Sequence, residues 1–145
     1  MEIRDLLNKK GKEVYHVSPD TTVYEAISKM SEYDVGALLV LEDDKLCGLI
    51  SERDYRNKVI LKGRTSKDTP VGDIMSTKLI TITPKDSVEN CMHLMTDKRV
   101  RHLPVMDDDQ VVGVISIGDI VKSIIDKQKE EIEDLKGYIS GNYPG

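Results

Sequence analysis

Two stretches of the sequence repeat one phrase, CGLISERDYR at residues 47–56 and VGVISIGDIV at residues 112–121. In both, a glycine precedes two aliphatic residues and a serine, and an aspartate follows the serine three positions later. The similarity continues outward without a gap, so that residues 14–60 align with residues 79–125 at a constant offset of 65 positions. Such a constant register indicates that one structural unit has been duplicated.

Each copy has the same order of predicted secondary structure. In the first copy, the β-branched run VYHVSP at residues 14–19 predicts a short strand closed by proline. The helical spacing of apolar side chains over residues 20–35 predicts a helix. Two apolar runs on either side of the acidic EDDK at residues 42–45 predict a β-hairpin with a four-residue connection. A second helix follows the serine of the repeated phrase, and the second copy has matching segments around DDDQ at residues 107–110.

The sequence therefore predicts an α+β fold of two β-α-β-β-α repeats related by a pseudo-twofold axis. A unit of under about 60 residues buries too little apolar surface to be stable alone, so we expect the repeats to share one core. We predict repeat 1 at residues 1–60, a linker at 61–70, repeat 2 at 71–125, and a C-terminal helix and tail at 126–145. The place where two such units meet is a favoured position for a small-molecule site.

Composition argues against several classes of protein. The 145 residues carry a net charge of -5, which disfavours a general nucleic-acid binder because such proteins need a basic face. Apolar runs such as residues 37–41 are far shorter than the roughly 20 residues of a membrane-spanning helix. The N-terminal residues lack the apolar core of a secretory signal. We therefore predict a cytoplasmic protein with no membrane or nucleic-acid partner.

The sequence also lacks the short motifs of common enzyme classes. It has no Gly-x-Ser-x-Gly elbow, Walker loop, Rossmann glycine fingerprint or His-Glu-x-x-His pair. The histidines, His16, His93 and His102, are too scattered to indicate a metal site. We predict no catalytic residues and no metal ligands, and hence a protein that is not an enzyme.

The order of elements and four phrases together resemble a tandem pair of cystathionine β-synthase (CBS) domains, the arrangement called a Bateman module. The phrases are GLISERD at residues 48–54, GVISIGD at 113–119, VRHLPV at 100–105 and ITITP at 80–84. The resemblance covers residues 3–125. It implies a regulatory module that binds an adenosine ligand such as AMP, ADP, ATP, NAD or S-adenosylmethionine, without catalysis by the pair itself.

The Ser-x-x-Asp phrase, Ser51 with Asp54 and Ser116 with Asp119, has two interpretations. The first is a capping box, in which the serine caps a helix and the aspartate binds a free backbone donor. The second is a ligand site, in which the carboxylate accepts hydrogen bonds from both ribose hydroxyls while the serine and free backbone donors face phosphate. Both can hold at once. The resemblance favours ligand binding, for Asp119 first and for Asp54 second.

Phosphate binding requires cations, and the resemblance assigns this role to Arg101 and His102 at the start of a strand. Without the resemblance, both are equally well interpreted as solvated surface groups. Repeat 1 has Gly36 and Ala37 at the matching positions, which offer no charge. We therefore expect unequal clefts, with the better nucleotide site in repeat 2 and Arg53 reaching phosphate from the other repeat.

The resemblance also nominates a lining for the adenine, Thr81 and Ile82 in repeat 2, with His16 and Val17 as their counterparts in repeat 1. Backbone groups there can read the edge of the base, and Ile82 can pack on its face. The alternative is that Ile82 is only a core residue of a strand.

The C-terminal segment has a narrow apolar stripe of Ile125, Ile132, Leu135 and Ile139. This stripe can dock on its own domain or seal a dimer, and we predict a homodimer. The overall prediction is a regulatory sensor of adenine nucleotides that signals to a separate effector protein or through its own dimer. Two alternatives stay open, a ligand-independent scaffold and a nucleotide hydrolase.

Overall fold

The structure is a computed structural model that describes residues 1–11 and 13–139, with backbone only for Tyr138 and Ile139. Residues 140–145 of the predicted tail, and the side chain of Ile139 in the predicted stripe, lie outside the described residues.

The first unit contains three helices and three strands. These are α1 (Ile3–Lys10), β1 (His16–Val17), α2 (Val23–Tyr33), β2 (Ala37–Glu42), β3 (Lys45–Ser51) and α3 (Glu52–Lys58). A short 3-10 helix, Ile60–Lys62, follows α3. The second unit repeats this order with α4 (Val71–Ile74), α5 (Val88–Lys98), β4 (His102–Asp107), β5 (Gln110–Ser116) and α6 (Ile117–Ile139).

Strand pairing is the same in the two units. Strand β1 lies parallel to β2, which pairs antiparallel with β3. Strands β4 and β5 form the matching hairpin, and a single parallel bridge between Ile82 and Val105 takes the place of β1. The predicted α+β class and the two repeated units are confirmed. Each unit also begins with a helix, α1 or α4, which the predicted β-α-β-β-α order omitted.

The buried side chains form two clusters rather than the single shared core that we expected. One cluster belongs to the first unit, but it includes Val71 and Ile74 of α4. The other belongs to the second unit, but it includes Ile3, Leu6 and Leu7 of α1. Each unit therefore completes its core with the opening helix of the other unit, a reciprocal exchange that fits the predicted pseudo-twofold arrangement.

Backbone hydrogen bonds fix this exchange. The N–H of Ile3 donates to the carbonyl of Asp86 at 2.8 Å, and the N–H of Val71 donates to the carbonyl of Thr21 at 2.7 Å. Because the exchanged helices supply both apolar contacts and ladder-like hydrogen bonds, neither unit keeps its full core without the other.

Both hairpins turn within two residues, so the predicted four-residue connection was too long. Asp43 and Asp44 join β2 to β3 with φ of 51° and 62°, and Asp108 and Asp109 do the same between β4 and β5 with φ of 48° and 65°. Two successive positive φ angles are typical of a type I′ turn, for which Asn-Gly is the preferred pair. Aspartate tolerates this conformation at a cost that glycine avoids.

The double substitution Asp43→Asn/Asp44→Gly is expected to raise the free energy of unfolding by about 0.5–1 kcal/mol, since it relieves the left-handed strain of the turn. Urea unfolding monitored by circular dichroism measures the change. The control is Asp97→Asn on the exposed face of α5, which removes an acidic charge outside any turn. An equal gain in both variants would show that charge, and not turn geometry, is responsible.

Candidate functional site

Both Ser-x-x-Asp phrases form the predicted capping box. The N–H of Ser51 donates to Asp54 Oδ2 at 3.0 Å, and the N–H of Asp54 donates to Ser51 Oγ at 3.2 Å. At the second phrase the corresponding distances are 2.8 Å and 3.2 Å between Ser116 and Asp119. The strand therefore ends and the helix begins with a carboxylate held in a fixed orientation, which is also what a ligand site at this place requires.

A cleft of about 650 Å³ lies where the two units meet, and side chains of both units line it. We call it the Asp54 cleft. Its polar and charged lining includes Ser51, Arg53, Asp54, Arg56, Ser76, Lys78, Arg99, Arg101 and His102. The structure thus brings Arg101 and His102 of the second unit together with the Ser-x-x-Asp phrase of the first unit.

The carboxylate of Asp54 is the anchor of this cleft. Asp54 is only 7% exposed, and its Oδ2 accepts hydrogen bonds from both the N–H and the hydroxyl of Ser51. Its Oδ1 lies 3.0 Å from the ammonium of Lys58 and accepts a hydrogen bond of 3.3 Å from Ser76 Oγ. These contacts hold the carboxylate in one orientation at the edge of the cleft.

Cations outnumber acids around the cleft. Arg53, Arg56, Arg99, Arg101 and Lys78 line it, against the two carboxylates of Glu52 and Asp54. Arg53 also spans the two units, because its Nη1 donates to the carbonyl of Arg99 at 3.4 Å. Guanidinium groups are well suited to the oxygens of phosphate, which they bind through two parallel N–H donors. The chemistry of the lining therefore favours a multiply charged anion.

His102 is half-buried at the inner end of the cleft, beside Gly36. A Cβ placed on Gly36 would lie 3.6 Å from Nε2 of His102, an ordinary van der Waals contact, so the imidazole packs close to the backbone of the first unit at this point. Burial lowers the pKa of His102, and the charge of Lys10 lowers it further. The Asp119 carboxylate opposes this shift, whereas Arg101 and Arg53 add to it. The imidazole is therefore neutral at neutral pH.

This shift predicts how stability depends on pH. The pKa of His102 lies below its ordinary value of about 6.5, so the unfolded chain takes up a proton first as the pH falls. The free energy of unfolding then decreases below about pH 6.5, and the contribution is fully present above that value. We expect His102→Gln to lose less stability than the parent between pH 7.5 and pH 5.5. Urea unfolding across this range measures the difference, and parallel curves for the two chains would contradict it.

Asp119 lies in a separate pocket of about 270 Å³, lined by Leu6, Lys9, Lys10, Asp119, Lys122, Ser123 and Asp126. We call it the Asp119 pocket. Its carboxylate is 2.6 Å from the ammonium of Lys10. Burial alone would raise the pKa of Asp119, but the hydrogen bond and charge of Lys10, together with the hydrogen bonds from Ser116, hold it below its ordinary value. The predicted site residues are thus divided between two places, with Arg101 lining the cleft of Asp54.

The predicted adenine lining does not lie along the Asp54 cleft. Thr81 is exposed, and Ile82 is buried in the core of the second unit, as the alternative interpretation expected. His16 and Val17 line a different, shallow cleft of the first unit. The apolar wall of the Asp54 cleft includes Ile80 and Leu79 instead.

Sequence reasoning missed four residues that line the cleft, Ser76, Lys78, Leu79 and Ile80. A signal was present, because three of these residues come just before the ITITP phrase and Ile80 is its first residue, but alternation along a strand does not say which end of the strand meets a cleft. An antiparallel bridge fixes the position of this segment. Leu49 N–H donates to the carbonyl of Ser76 at 3.0 Å, and Ser76 N–H donates to the carbonyl of Leu49 at 2.9 Å.

Comparison with known proteins identifies the family. A family model of the CBS domain matches residues 3–60 and again residues 71–126. The chain therefore belongs to the CBS domain family and carries the domain as a tandem pair. The CBS domain-containing protein CBSX3, mitochondrial, of Arabidopsis thaliana is 45% identical over 150 residues, which cover 97% of this chain and 73% of that protein.

Solved structures share the fold over most of the chain. A protein with CBS domains from Burkholderia ambifaria is 44% identical with a TM-score of 0.85, covering 88% of this chain and 96% of its own. The CBS domain pair of protein MJ0100 is 22% identical with a TM-score of 0.77, covering 88% of this chain and 98% of its own. It was crystallised in complex with 5′-methylthioadenosine and S-adenosylmethionine.

Two further properties concern the described residues, 1–11 and 13–139. No helix in these ranges is long and apolar enough to cross a membrane. In the same part of the chain, no group of three or more His, Cys, Asp or Glu side chains is arranged to hold a metal ion.

Proposed function

We propose that the chain is a regulatory sensor of adenine nucleotides and that the Asp54 cleft is its binding site. The observation that carries this proposal is the arrangement of one buried, oriented carboxylate opposite a cluster of cations contributed by both units. A carboxylate of this kind accepts hydrogen bonds from a ribose diol, and the cations neutralise phosphate. Ser51, Arg53, Asp54 and Arg101 keep their predicted binding role in this proposal, whereas His102 contributes an uncharged, hydrogen-bonding imidazole rather than a cation.

The adenine has two possible supports. Ile80 and Leu79 offer an apolar wall in the cleft, whereas Thr81 and Ile82 were nominated by the family resemblance. Because Ile82 is buried in the core, we assign the base to the segment that ends at Ile80. The bound adenosine ligands of MJ0100 support an adenosine compound as the class of ligand.

The charge of the Asp54 cleft predicts an order of affinity among the adenosine ligands. AMP, ADP, ATP and NAD each carry phosphate, while S-adenosylmethionine carries a sulfonium cation and no phosphate. The excess of cations around the Asp54 cleft attracts the phosphate-bearing ligands and repels a sulfonium. We therefore expect ATP, ADP, NAD and AMP to bind more tightly than S-adenosylmethionine.

Occupancy of the cleft has a route to a partner through α6. Its residues Ile117, Val121, Ile125, Ile132 and Leu135 are 44–61% exposed and lie along one side of the helix. An apolar stripe of this length fits a second copy of the chain or a separate effector protein. We propose a homodimer, and light scattering that gives only about 16 kDa at working concentrations would contradict it.

A cytoplasmic location stays a prediction, and the name of the Arabidopsis relative points to the mitochondrion as the other compartment to examine. The exposed stripe of α6 also favours the second candidate function, a ligand-independent scaffold. Partner binding that is insensitive to nucleotides would support the scaffold. The absence of catalysis is part of the proposal, and conversion of ATP or NAD to products by the purified chain would overturn it.

The test is a parallel calorimetric titration with AMP, ADP, ATP, NAD and S-adenosylmethionine. We expect at least one phosphate-bearing ligand to bind, and Arg101→Gln to weaken it by about 10-fold or more, since a charged hydrogen bond contributes about 1.5–3 kcal/mol. The matched control is Arg4→Gln, an exposed arginine outside the cleft. If none of the five ligands binds, the sensor function is wrong and the scaffold is favoured.

A further inference from the structure

Lys10 makes two close contacts at the Ser-x-x-Asp phrase of the second unit. Its ammonium lies 2.6 Å from Asp119 Oδ2 and donates a hydrogen bond of 2.7 Å to the carbonyl of Val114. The Lys10 and Asp119 side chains are 37% and 22% exposed, so the pair is partly shielded from solvent. The chain's own lysine thus binds the carboxylate that the repeat makes equivalent to Asp54.

The two groups that Lys10 contacts, the Val114 carbonyl and the Asp119 carboxylate, have counterparts in the first unit with different partners. At an offset of 65, Val114 matches Leu49, and the Leu49 carbonyl accepts a hydrogen bond of 2.9 Å from the N–H of Ser76. The Ser76 hydroxyl also reaches Asp54, at 3.3 Å. In the first unit Ser76, which lines the Asp54 cleft, makes both contacts through its N–H and its hydroxyl, whereas in the second unit the ammonium of Lys10 makes both.

The difference arises from the lengths of the exchanged helices. Helix α4 has 4 residues, and Met75 after it is extended, with φ of -61° and ψ of 150°. The chain then pairs with β3 through Ser76. Helix α1 has 8 residues and ends at Lys10, and Gly11 follows as its C-cap with a φ of 98° that suits glycine. The additional turn places Lys10 beside the N-terminus of α6. In the first unit the residues that follow α4 take the equivalent place, and they line the Asp54 cleft.

The Asp119 pocket also has fewer cations to offer a phosphate than the Asp54 cleft, with three lysines in its lining against four arginines and one lysine. The positions that match Arg101 and His102 are Gly36 and Ala37. Asp54 also pairs with a lysine, but this residue, Lys58, lies four residues later on the same helix, α3. Asp54 lines the Asp54 cleft while it makes this pair. Lys10 comes from another helix, α1, and occupies one acceptor oxygen of Asp119 within the pocket that both residues line.

We propose that Lys10 blocks the second nucleoside site of the pair, so that each chain binds one adenine nucleotide, at the Asp54 cleft. The blocked site is the ribose position at Asp119. The count of one nucleotide per chain rests on the proposed function of the Asp54 cleft. The blocking of Asp119 by Lys10 does not depend on that function. Displacement of Lys10 exposes a carboxylate that is already oriented by Ser116 and able to bind a ribose diol.

AMP is the probe, because it carries the ribose and a single phosphate. Titration calorimetry of the full chain compares the parent, Lys10→Met, Asp54→Asn and Lys10→Met/Asp54→Asn. Methionine keeps the length of the side chain and its helix propensity but removes the charge. The matched control is Lys9→Met, since Lys9 neighbours Lys10 on α1 and lines the same pocket. Circular dichroism melting shows whether each variant is folded.

We expect one AMP per chain for the parent and for Lys9→Met, and a second, weaker site in Lys10→Met. Asp54→Asn is expected to lose binding, and Lys10→Met/Asp54→Asn to regain one site that a further Asp119→Asn removes. Two sites in the parent, or no gained site in a folded Lys10→Met, would overturn the proposal. If the parent binds none but Lys10→Met gains a site that needs Asp119, the blocking by Lys10 stands and the proposed function of the Asp54 cleft fails.

Discussion

Asp54→Asn is expected to lower the affinity for ATP by about 30-fold or more, because in the proposed site it removes the charged acceptor of the ribose hydroxyls. The buried position of Asp54 makes the effect large, since hydrogen bonds to a charged acceptor are stronger where water is excluded. Asparagine keeps the size of the side chain, and its amide oxygen can still accept the capping-box hydrogen bond from the N–H of Ser51. Fluorescence or calorimetric titration of the two chains measures the change.

The matched control is Asp119→Asn, the equivalent change in the second repeat. We expect it to alter ATP affinity by less than about twofold, since Asp119 is bound to Lys10 and does not line the Asp54 cleft. An equal loss in both variants would show that the two repeats contribute symmetrically. A loss of ATP affinity in Asp119→Asn alone would show that the nucleotide binds in the second repeat, as predicted from the sequence.

Ile3→Ala is expected to lower the free energy of unfolding by about 2–4 kcal/mol, although Ile3 lies near the start of the chain. The side chain is 0% exposed and packs in the core of the second unit. Urea unfolding at fixed protein concentration measures the loss, with an unchanged slope against denaturant. The control is Leu61→Ala, which removes a side chain that is 69% exposed and should change stability little.

A small effect of Ile3→Ala would mean that the exchanged helix contributes little to the second core. The same result would weaken the explanation for Lys10, because α1 carries both Ile3 and Lys10. Val71→Ala tests the reciprocal contact, since Val71 is 0% exposed in the core of the first unit.

Much of the fold could be predicted because duplication is visible at a constant offset. The helix caps were readable from Ser51 and Ser116, and the hairpins from their acidic turns. The exchange of α1 and α4 was not readable, because a short amphipathic helix at the start of a unit does not specify which of two equivalent cores it joins. The buried side chains form two clusters, each completed by the opening helix of the other unit, rather than the single core that we expected.

The site was harder to predict for a related reason. The repeat places Arg101 and Asp119 in one unit, and the backbones do stay close, since Ile117 N–H donates to the Arg101 carbonyl at 2.9 Å. The Arg101 side chain nevertheless lines the cleft that contains Asp54. Residue types identified the chemistry, but only the packing of one unit against the other decides which carboxylate faces which cations.

The most direct test of the sensor proposal is a crystal structure of the chain grown at saturating ATP. We expect the ribose hydroxyls within hydrogen-bond distance of the Asp54 carboxylate, the phosphates beside Arg101 and Arg53, and Lys10 still bound to Asp119. ATP bound only in the Asp119 pocket, or an Asp54 cleft without nucleotide, would contradict the proposal.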